Sequence, residues 1–310
     1  MGTDYKISSM EERNMKEKIR THIALGRFFA APVVILAVIL GAILAGAPFW
    51  LTVLAVIAGL VAMAAGHYYN SWADHRWGLD RGTPRSVEKW YTWGSSVIAL
   101  GKASPSGVLL LSLIQYAVFT GICIAIGILA NTWWIILPWA IGLTAGFFYA
   151  PGFMPGLKYK GFPEYVGFAF GVGGVGLGYV CAGGMDLKLV LLVGFGVSLP
   201  WATDWIIDQY VDAESDIKKG VRNIAHVAYE TGFPIWAWCL FGWTISYVFL
   251  LFLITIGYLS PWVFLAVFAI PLFGLAAVWI PKDITKGVQY GLLATFAYIL
   301  LVVVGQAIGG

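Results

Sequence analysis

Apolar runs separated by short polar stretches fill the chain after residue 26, at roughly 27–46, 49–69, 106–129, 132–150, 164–182, 188–208, 232–256, 260–280 and 288–308. Each approaches the ~20 residues an α-helix needs to cross a hydrocarbon core about 30 Å thick. The pattern predicts an all-α, polytopic membrane protein of about nine transmembrane helices. Residues 1–26 hold no apolar run, so no cleavable signal peptide is expected. Within them Met15, Ile19 and Ile23 recur at helical spacing among Lys, Arg and Glu, which predicts a segment lying on the inner membrane surface. The expected organisation is an N-terminal interfacial segment, 1–26, and one transmembrane domain, 27–310. Spans two and six both end in acidic clusters and both run inward. That suits two four-helix units plus a ninth helix, although no residue-level repeat accompanies it.

Composition excludes a soluble class: 60% of residues are hydrophobic and 11% charged, with a mean hydropathy of +0.81. The 19 Lys and Arg residues then fix an expected orientation. The N-terminal tail through Arg27 and the segments near 71–105, 151–163, 209–231 and 281–287 carry 6, 5, 2, 3 and 2 of them, leaving Lys188 alone on the other side. By the positive-inside rule the N-terminus is cytoplasmic and the C-terminus outside, in the cell membrane. This asymmetry accounts for the basic residues, and no nucleic-acid partner is expected. Cys123, Cys181 and Cys239 lie in apolar runs without metal-ligand spacing and read as small buried residues.

The charged chemistry collects where two spans reach the cytoplasmic side. Asn70, Asp74 and Asp80 follow span two, and Asp204, Asp208, Asp212 and Asp216 end span six. Carboxylates near a bilayer are costly, so several in one place imply a cation or polar substrate that offsets their repulsion. Asp204 to Asp216 recur every four residues, which on a helix makes one slowly drifting acidic row. The alternative is a solvated helix end facing Lys218, Lys219 and Arg222. Asn70 and Asp74 share a helical face one turn apart, whereas Asp80 would point elsewhere unless Gly78 breaks the helix. A loop from Gly78 would return Asp80 toward Asp74 and bring Arg76, Arg81 and Arg85 near phosphate oxygens. Hard oxygen ligands without His or Cys favour magnesium over zinc. A magnesium-bound diphosphate is therefore the leading candidate ligand.

The order of these motifs resembles the UbiA superfamily of intramembrane prenyltransferases. Asn70-x3-Asp74-x3-Gly78-x-Asp80, the following DRGTPRS, the stretch Tyr159-Lys160-Gly161-Phe162-Pro163-Glu164 and Asp212-x3-Asp216-x3-Gly220 are similar to the branch that prenylates 1,4-dihydroxy-2-naphthoate in menaquinone synthesis. Three positions differ from that branch. Asp208 stands where it has Asn, Asn223 where it has Thr, and Arg27-Phe28 where it has Arg-Pro.

The resemblance implies a UbiA-like bundle and a magnesium-dependent enzyme. Asn70, Asp74 and Asp80 would hold one Mg²⁺, and Asp208, Asp212 and Asp216 another. Arg76, Lys158, Lys160 or Arg222 would meet the diphosphate, and Tyr149 would face the reacting carbon. The implied partners are an isoprenyl diphosphate, an aromatic quinone precursor or other lipid-soluble acceptor, and membrane lipid. Alternatives are a glycerol-lipid or isoprenoid acceptor and, in another class, a secondary transporter or cation channel. The last lacks support because most spans carry almost no ionisable residue at midplane. Gly171-x-Gly173-Gly174-x-Gly176 matches a dinucleotide fingerprint in letters only; inside an apolar span it predicts close helix packing. His67, His75 and His226 read as structural or supporting residues. The 49 aromatic side chains (15 Trp, 15 Tyr, 19 Phe) suit interfacial belts, helix packing and a tunnel for a prenyl tail.

Overall fold

The computed structural model describes residues 16–78, 97–149, 164–211 and 213–310, and every long element among them is a helix. Helix α1 covers residues 16–26. A 3-10 turn, Phe28–Ala30, leads into α2 (Ala31–Ala45), followed by α3 (Phe49–Arg76), α4 (Pro105–Leu129), α5 (Ile136–Tyr149) and α6 (Glu164–Tyr179). Then come α7 (Leu187–Val211), the short α8 (Ala213–Lys218) and α9 (Ile224–Thr231), α10 (Ile235–Thr255), a 3-10 stretch Pro261–Ala269 continuing into α11 (Ile270–Trp279), and α12 (Ile284–Gly309). Each of the nine predicted runs falls on one apolar helix. Among the described residues seven helices are long and apolar enough to cross a membrane, and two apolar ones, Ile136–Tyr149 and Val166–Ala182, are shorter. The protein is thus a multi-pass, all-helical membrane protein.

Local chemistry explains the helix ends. Ser104 accepts the Gly107 N–H at 3.2 Å ahead of Pro105, and Asp283 accepts the Thr285 and Lys286 N–H groups at 3.0 and 3.2 Å. These caps satisfy donors that have no intrahelical partner. Helix α5 starts at Ile136, four residues later than hydropathy alone suggests, because Thr132 Oγ1 turns back to accept the Trp134 N–H at 3.3 Å. Inside the spans, hydroxyls bond back to carbonyls of the preceding turn, as Ser71 does to His67 at 3.0 Å and Thr203 to Leu199 at 2.8 Å. No polar group there can turn to water for a partner.

Packing gathers the helices around α2, α6 and α7. Helix α2 lies against α3, α6 and α12; α6 also packs on α5 and α7; α7 reaches α10 and α12; and α3 runs along α4. Helices α2 and α6 approach backbone to backbone. A Cβ on Gly41 would overlap the Val175 carbonyl, and one on Gly178 would overlap the Val38 carbonyl. The glycine-rich run is therefore a packing seam, as small residues allow between membrane helices. Helix α1 rests on α3 through His22 Nδ1 and Tyr68 Oη, 2.7 Å apart, and Glu17 pairs with Lys102 at 3.1 Å. It buries Thr21 and Leu25 while leaving Ile19 and Ile23 exposed.

Candidate active site

The last turns of α3 carry the first polar cluster. Asn70 and Asp74, a turn apart, are only 5% and 3% exposed. Asn70 Nδ2 donates to Asp74 Oδ2 at 3.0 Å, while Asn70 Oδ1 is buried without a hydrogen-bond partner. A buried carbonyl oxygen in that condition costs roughly 1–3 kcal/mol, and it is a hard ligand of the kind magnesium takes. The helix stops where expected: Gly78 has φ 71 and its N–H reaches the His75 carbonyl at 3.1 Å. That left-handed conformation is open to glycine at little cost. Arg76 lies with its guanidinium carbon 5.5 Å from the Trp72 ring centroid.

Asn70 opens onto a chamber between α3, α5 and α6. Its polar end is bordered by Arg27, His67, Asn70, Tyr149 and Trp205, and its far end by Val34, Gly59, Pro138 and Leu177. From Asn70 to Gly59 the lining follows α3 for about 17 Å, at about 1.5 Å per residue. The ring of Trp205 meets Tyr149 edge-on at 6.0 Å and Trp201 at 6.1 Å. Arg27, His67 and Trp205 also wall a second cavity, with Asp204, Asp208, Trp201 and Phe29 among its other lining residues. Arg27 reaches this position from a left-handed backbone, φ 46 and ψ 47, between α1 and the 3-10 turn. Such a conformation costs a non-glycine residue of order 1–2 kcal/mol.

The second acidic cluster is held differently. Asp204 is buried deeper on α7, facing Thr295 on α12 and Trp243 on α10, and Asp208 borders the smaller cavity one turn later. Asp216, on α8, is buried with Oδ2 3.9 Å from Nε2 of the fully buried His226. Asn223 caps α9 by accepting the His226 N–H at 3.1 Å, and its Nδ2 donates to Gln209 Oε1 at 3.1 Å. Gln209 Nε2 in turn donates to Tyr149 Oη at 3.4 Å. The polar chain therefore runs from α5 through α7 to α9. On the exposed side Lys218 pairs with Glu214 at 2.8 Å and holds that carboxyl below its usual range. Arg222 pairs with Glu230 at 2.8 Å.

Of the residues singled out in the sequence, Asn70, Tyr149 and, across Arg27, His67 and Trp205, Asp208 border the two adjoining cavities. Asp74 is bonded to Asn70, and Asp216 stands at the far end of the polar chain. Asp80, Arg81, Arg85, Lys158, Lys160 and Asp212 lie outside the described residues, as does the stretch 159–163. Among the described residues no three His, Cys, Asp or Glu side chains gather to hold a metal, and one expected ligand from each set, Asp80 and Asp212, lies beyond them. The residues present fit magnesium in kind: an unpartnered amide oxygen and buried or half-buried carboxylates. Sequence reasoning passed over Gln209, which carries no motif, and His67 as a cavity wall. A neutral amide one residue after Asp208 was the only available signal.

The UbiA prenyltransferase family model matches residues 30–304. The chain belongs to this family. A curated UbiA relative from Bacillus subtilis (strain 168), 1,4-dihydroxy-2-naphthoate octaprenyltransferase, is 24% identical over 211 residues; the match spans 67% of this chain and 63% of that protein. Among solved structures, a UbiA homologue from Aeropyrum pernix K1 superposes with a TM-score of 0.68 at 20% identity, covering 90% of this chain and 97% of the other. A UbiA homologue from Archaeoglobus fulgidus, solved with DMAPP and Mg²⁺, superposes with a TM-score of 0.55 at 17% identity, covering 92% and 99%. At these identities the structures establish a shared UbiA fold.

Proposed function

We propose that this UbiA protein transfers a prenyl group from an isoprenyl diphosphate to an aromatic quinone precursor within the membrane, releasing pyrophosphate. The observation that carries the reading is the buried Asn70–Asp74 pair at the mouth of a long apolar chamber. The pair suits a metal-bound diphosphate, and the chamber suits a hydrocarbon tail. The solved relative bound to DMAPP and Mg²⁺ and the curated relative named for naphthoate support the same chemistry.

Asn70, Asp74 and Asp80 are assigned to one magnesium ion, and Asp208, Asp212 and Asp216 to a second. Magnesium, when bound, withdraws charge from the diphosphate leaving group. Arg76, Lys158, Lys160 and Arg222 are the cationic candidates for the diphosphate oxygens. The allylic C–O bond breaks, with its electron pair leaving on pyrophosphate. An acceptor electron pair forms the new C–C bond, and the acceptor gives up one proton. Trp205 and Tyr149 present ring faces and edges at the polar end of the chamber, where positive charge develops on the allylic carbon. Cation–π attraction there contributes on the order of 0.5–2 kcal/mol. The smaller cavity beside Asp208 is the natural seat for the acceptor head, because it adjoins that end and offers two indoles and a guanidinium.

The distribution of Lys and Arg favours a cytoplasmic N-terminus and an outer C-terminus in the cell membrane. In that orientation the Asn70 end of the chamber would face inside, and α1 with its exposed Ile19 and Ile23 would lie on the inner surface. The test is transfer from labelled geranyl diphosphate in vesicles containing the protein, with naphthoate, glycerol-lipid and isoprenoid acceptors offered separately. Magnesium-dependent labelling of the aromatic acceptor is expected. Labelling of a glycerol lipid alone would move the reading to that acceptor. Labelling of none, or a rate untouched by chelator, would overturn it.

A further inference from the structure

Asp204 is the member of the acidic row to which the proposed magnesium sites give no role. It is 2% exposed, and a carboxylate at that depth in a membrane span is retained only with partners. Three groups hold it from outside the smaller cavity. The Trp243 indole of α10 and the Thr295 hydroxyl of α12 face it, and a Cβ on Gly291 of α12 would come within 2.8 Å of Oδ1. None of these three residues is on the cavity wall, whereas Asp204 is. A carboxylate has about four lone-pair sites, so two donors leave it acceptor capacity for a ligand.

The rest of that wall is short of hydrogen-bond partners in the complementary sense. Trp201 Nε1, Trp205 Nε1, Arg27 Nε and His67 Nε2 are buried without a partner, and all four residues line the cavity. The two indoles and the guanidinium can only donate, and the imidazole nitrogen can do either. Buried polar atoms in native proteins are nearly all paired. Four such atoms around one cavity, together with a carboxylate, point to a ligand that brings the missing groups. It must carry oxygens for the donors and at least one hydroxyl hydrogen for Asp204. An aromatic ring with hydroxyl substituents meets both needs, and a plain isoprenoid hydrocarbon meets neither.

We propose that Asp204 is the specificity-determining residue of the acceptor site, accepting a hydrogen bond from a ring hydroxyl of the aromatic acceptor seated in the smaller cavity. The proposal rests on the prenyl-transfer reading and adds to it the feature by which acceptors are told apart. A site built around a substrate hydroxyl rejects the analogue without it, because its own buried group is then left unpaired. A hydrogen bond to a charged group corresponds to about ten- to a hundred-fold. Asp204→Asn inverts the recognition with little change of shape. Trp243 can only donate, so it keeps the amide oxygen, and Nδ2, which cannot accept, turns to the cavity.

The experiment compares 1,4-dihydroxy-2-naphthoate with its two mono-methyl ethers as acceptors for the full-length protein in vesicles, with magnesium and labelled geranyl diphosphate. In the unaltered protein kcat/KM should fall about tenfold or more for one of the ethers. In Asp204→Asn that preference should shrink by about tenfold, through a loss on the free hydroxyl and not on the ether. A structural role alone would lower both acceptors alike, and steric rejection of the methyl group would persist in this isosteric variant. Either result overturns the proposal alone, as does equal use of the hydroxyl and both ethers by the unaltered protein. If Asp204→Asn does not insert, competition in the unaltered protein decides between the methoxy analogue and a methylamino analogue of equal size. The methylamino group still donates and should compete about tenfold better; equal competition overturns the proposal. Absence of transfer to dihydroxynaphthoate by the unaltered protein overturns the aromatic prenyl-transfer reading and the proposal with it.

Discussion

At the end of α3 the polar cluster is organised within one turn of helix, whereas at the end of α7 it is organised across four elements. Asn70 and Asp74 bond to each other as i and i+4 neighbours, and the glycine that ends their helix follows four residues later. Asp208, Gln209 and Asp216 depend instead on α5, on α9 and on the cap that Asn223 builds. The first arrangement is tolerant of shifts between helices; the second registers them. On the proposed function, a substrate touching both ends would meet one wall built within a single helix and one built between helices.

The largest expected effect concerns the wall built within α3. Asp74→Ala removes a buried carboxylate and leaves Asn70 Nδ2 without the acceptor it has at 3.0 Å. Prenyl transfer should fall by about a hundred- to a thousand-fold while the protein still inserts. Near-normal turnover in a folded, membrane-inserted variant would show that the α3 pair is not part of the machinery.

An intermediate effect is expected at Gly78, whose φ of 71 an alanine adopts only with strain. Gly78→Ala should favour another turn of α3 at a cost of about 1–2 kcal/mol to the present break. Affinity for a non-hydrolysable prenyl diphosphate should weaken several-fold if Asp80 returns toward Asp74, and Asp80→Asn should weaken it at least as much. Unchanged affinity in both variants would remove Asp80 from the ligand set.

The smallest effect concerns the wall built between helices. Arg222 is exposed and paired with Glu230 at 2.8 Å, so it can serve a diphosphate only by leaving that partner. An exposed pair contributes about 0.2–1 kcal/mol. Glu230→Gln should therefore lower the KM for prenyl diphosphate by up to about fivefold, and Arg222→Ala should raise it. A KM indifferent to both would assign Arg222 to Glu230 alone.

Legibility in the sequence follows the same division. Hydropathy located the apolar helices seen among the described residues because desolvation acts on every residue of a run. Asn70, Asp74 and Gly78 were readable because their relation is local. The Gln209–Asn223 link was not, since nothing in the spacing of two neutral amides fourteen residues apart announces that a turn brings them together. The start of α5 shifted by four residues because a single hydroxyl, Thr132 Oγ1, outweighed uniform hydropathy. Arg27 appeared in the sequence as the last basic residue of a tail and as part of an Arg-Phe pair; neither reading carries its left-handed backbone or its place on the walls of both cavities.

Six of the residues around the larger chamber are glycines, Gly59, Gly66, Gly142, Gly146, Gly173 and Gly174. Where glycine lines it the bore is main chain, and main chain has no rotamers. There the tube cannot widen for a bulkier guest by swinging side chains aside. Its calibre at those points changes only if whole helices separate, and the interlocked seam between α2 and α6 opposes that beside Gly174. Inherited changes in the length or girth of tail accepted should thus gather at the larger side chains on the rest of the wall, Met63, Phe119 and Phe170 among them, while the glycine positions stay as they are.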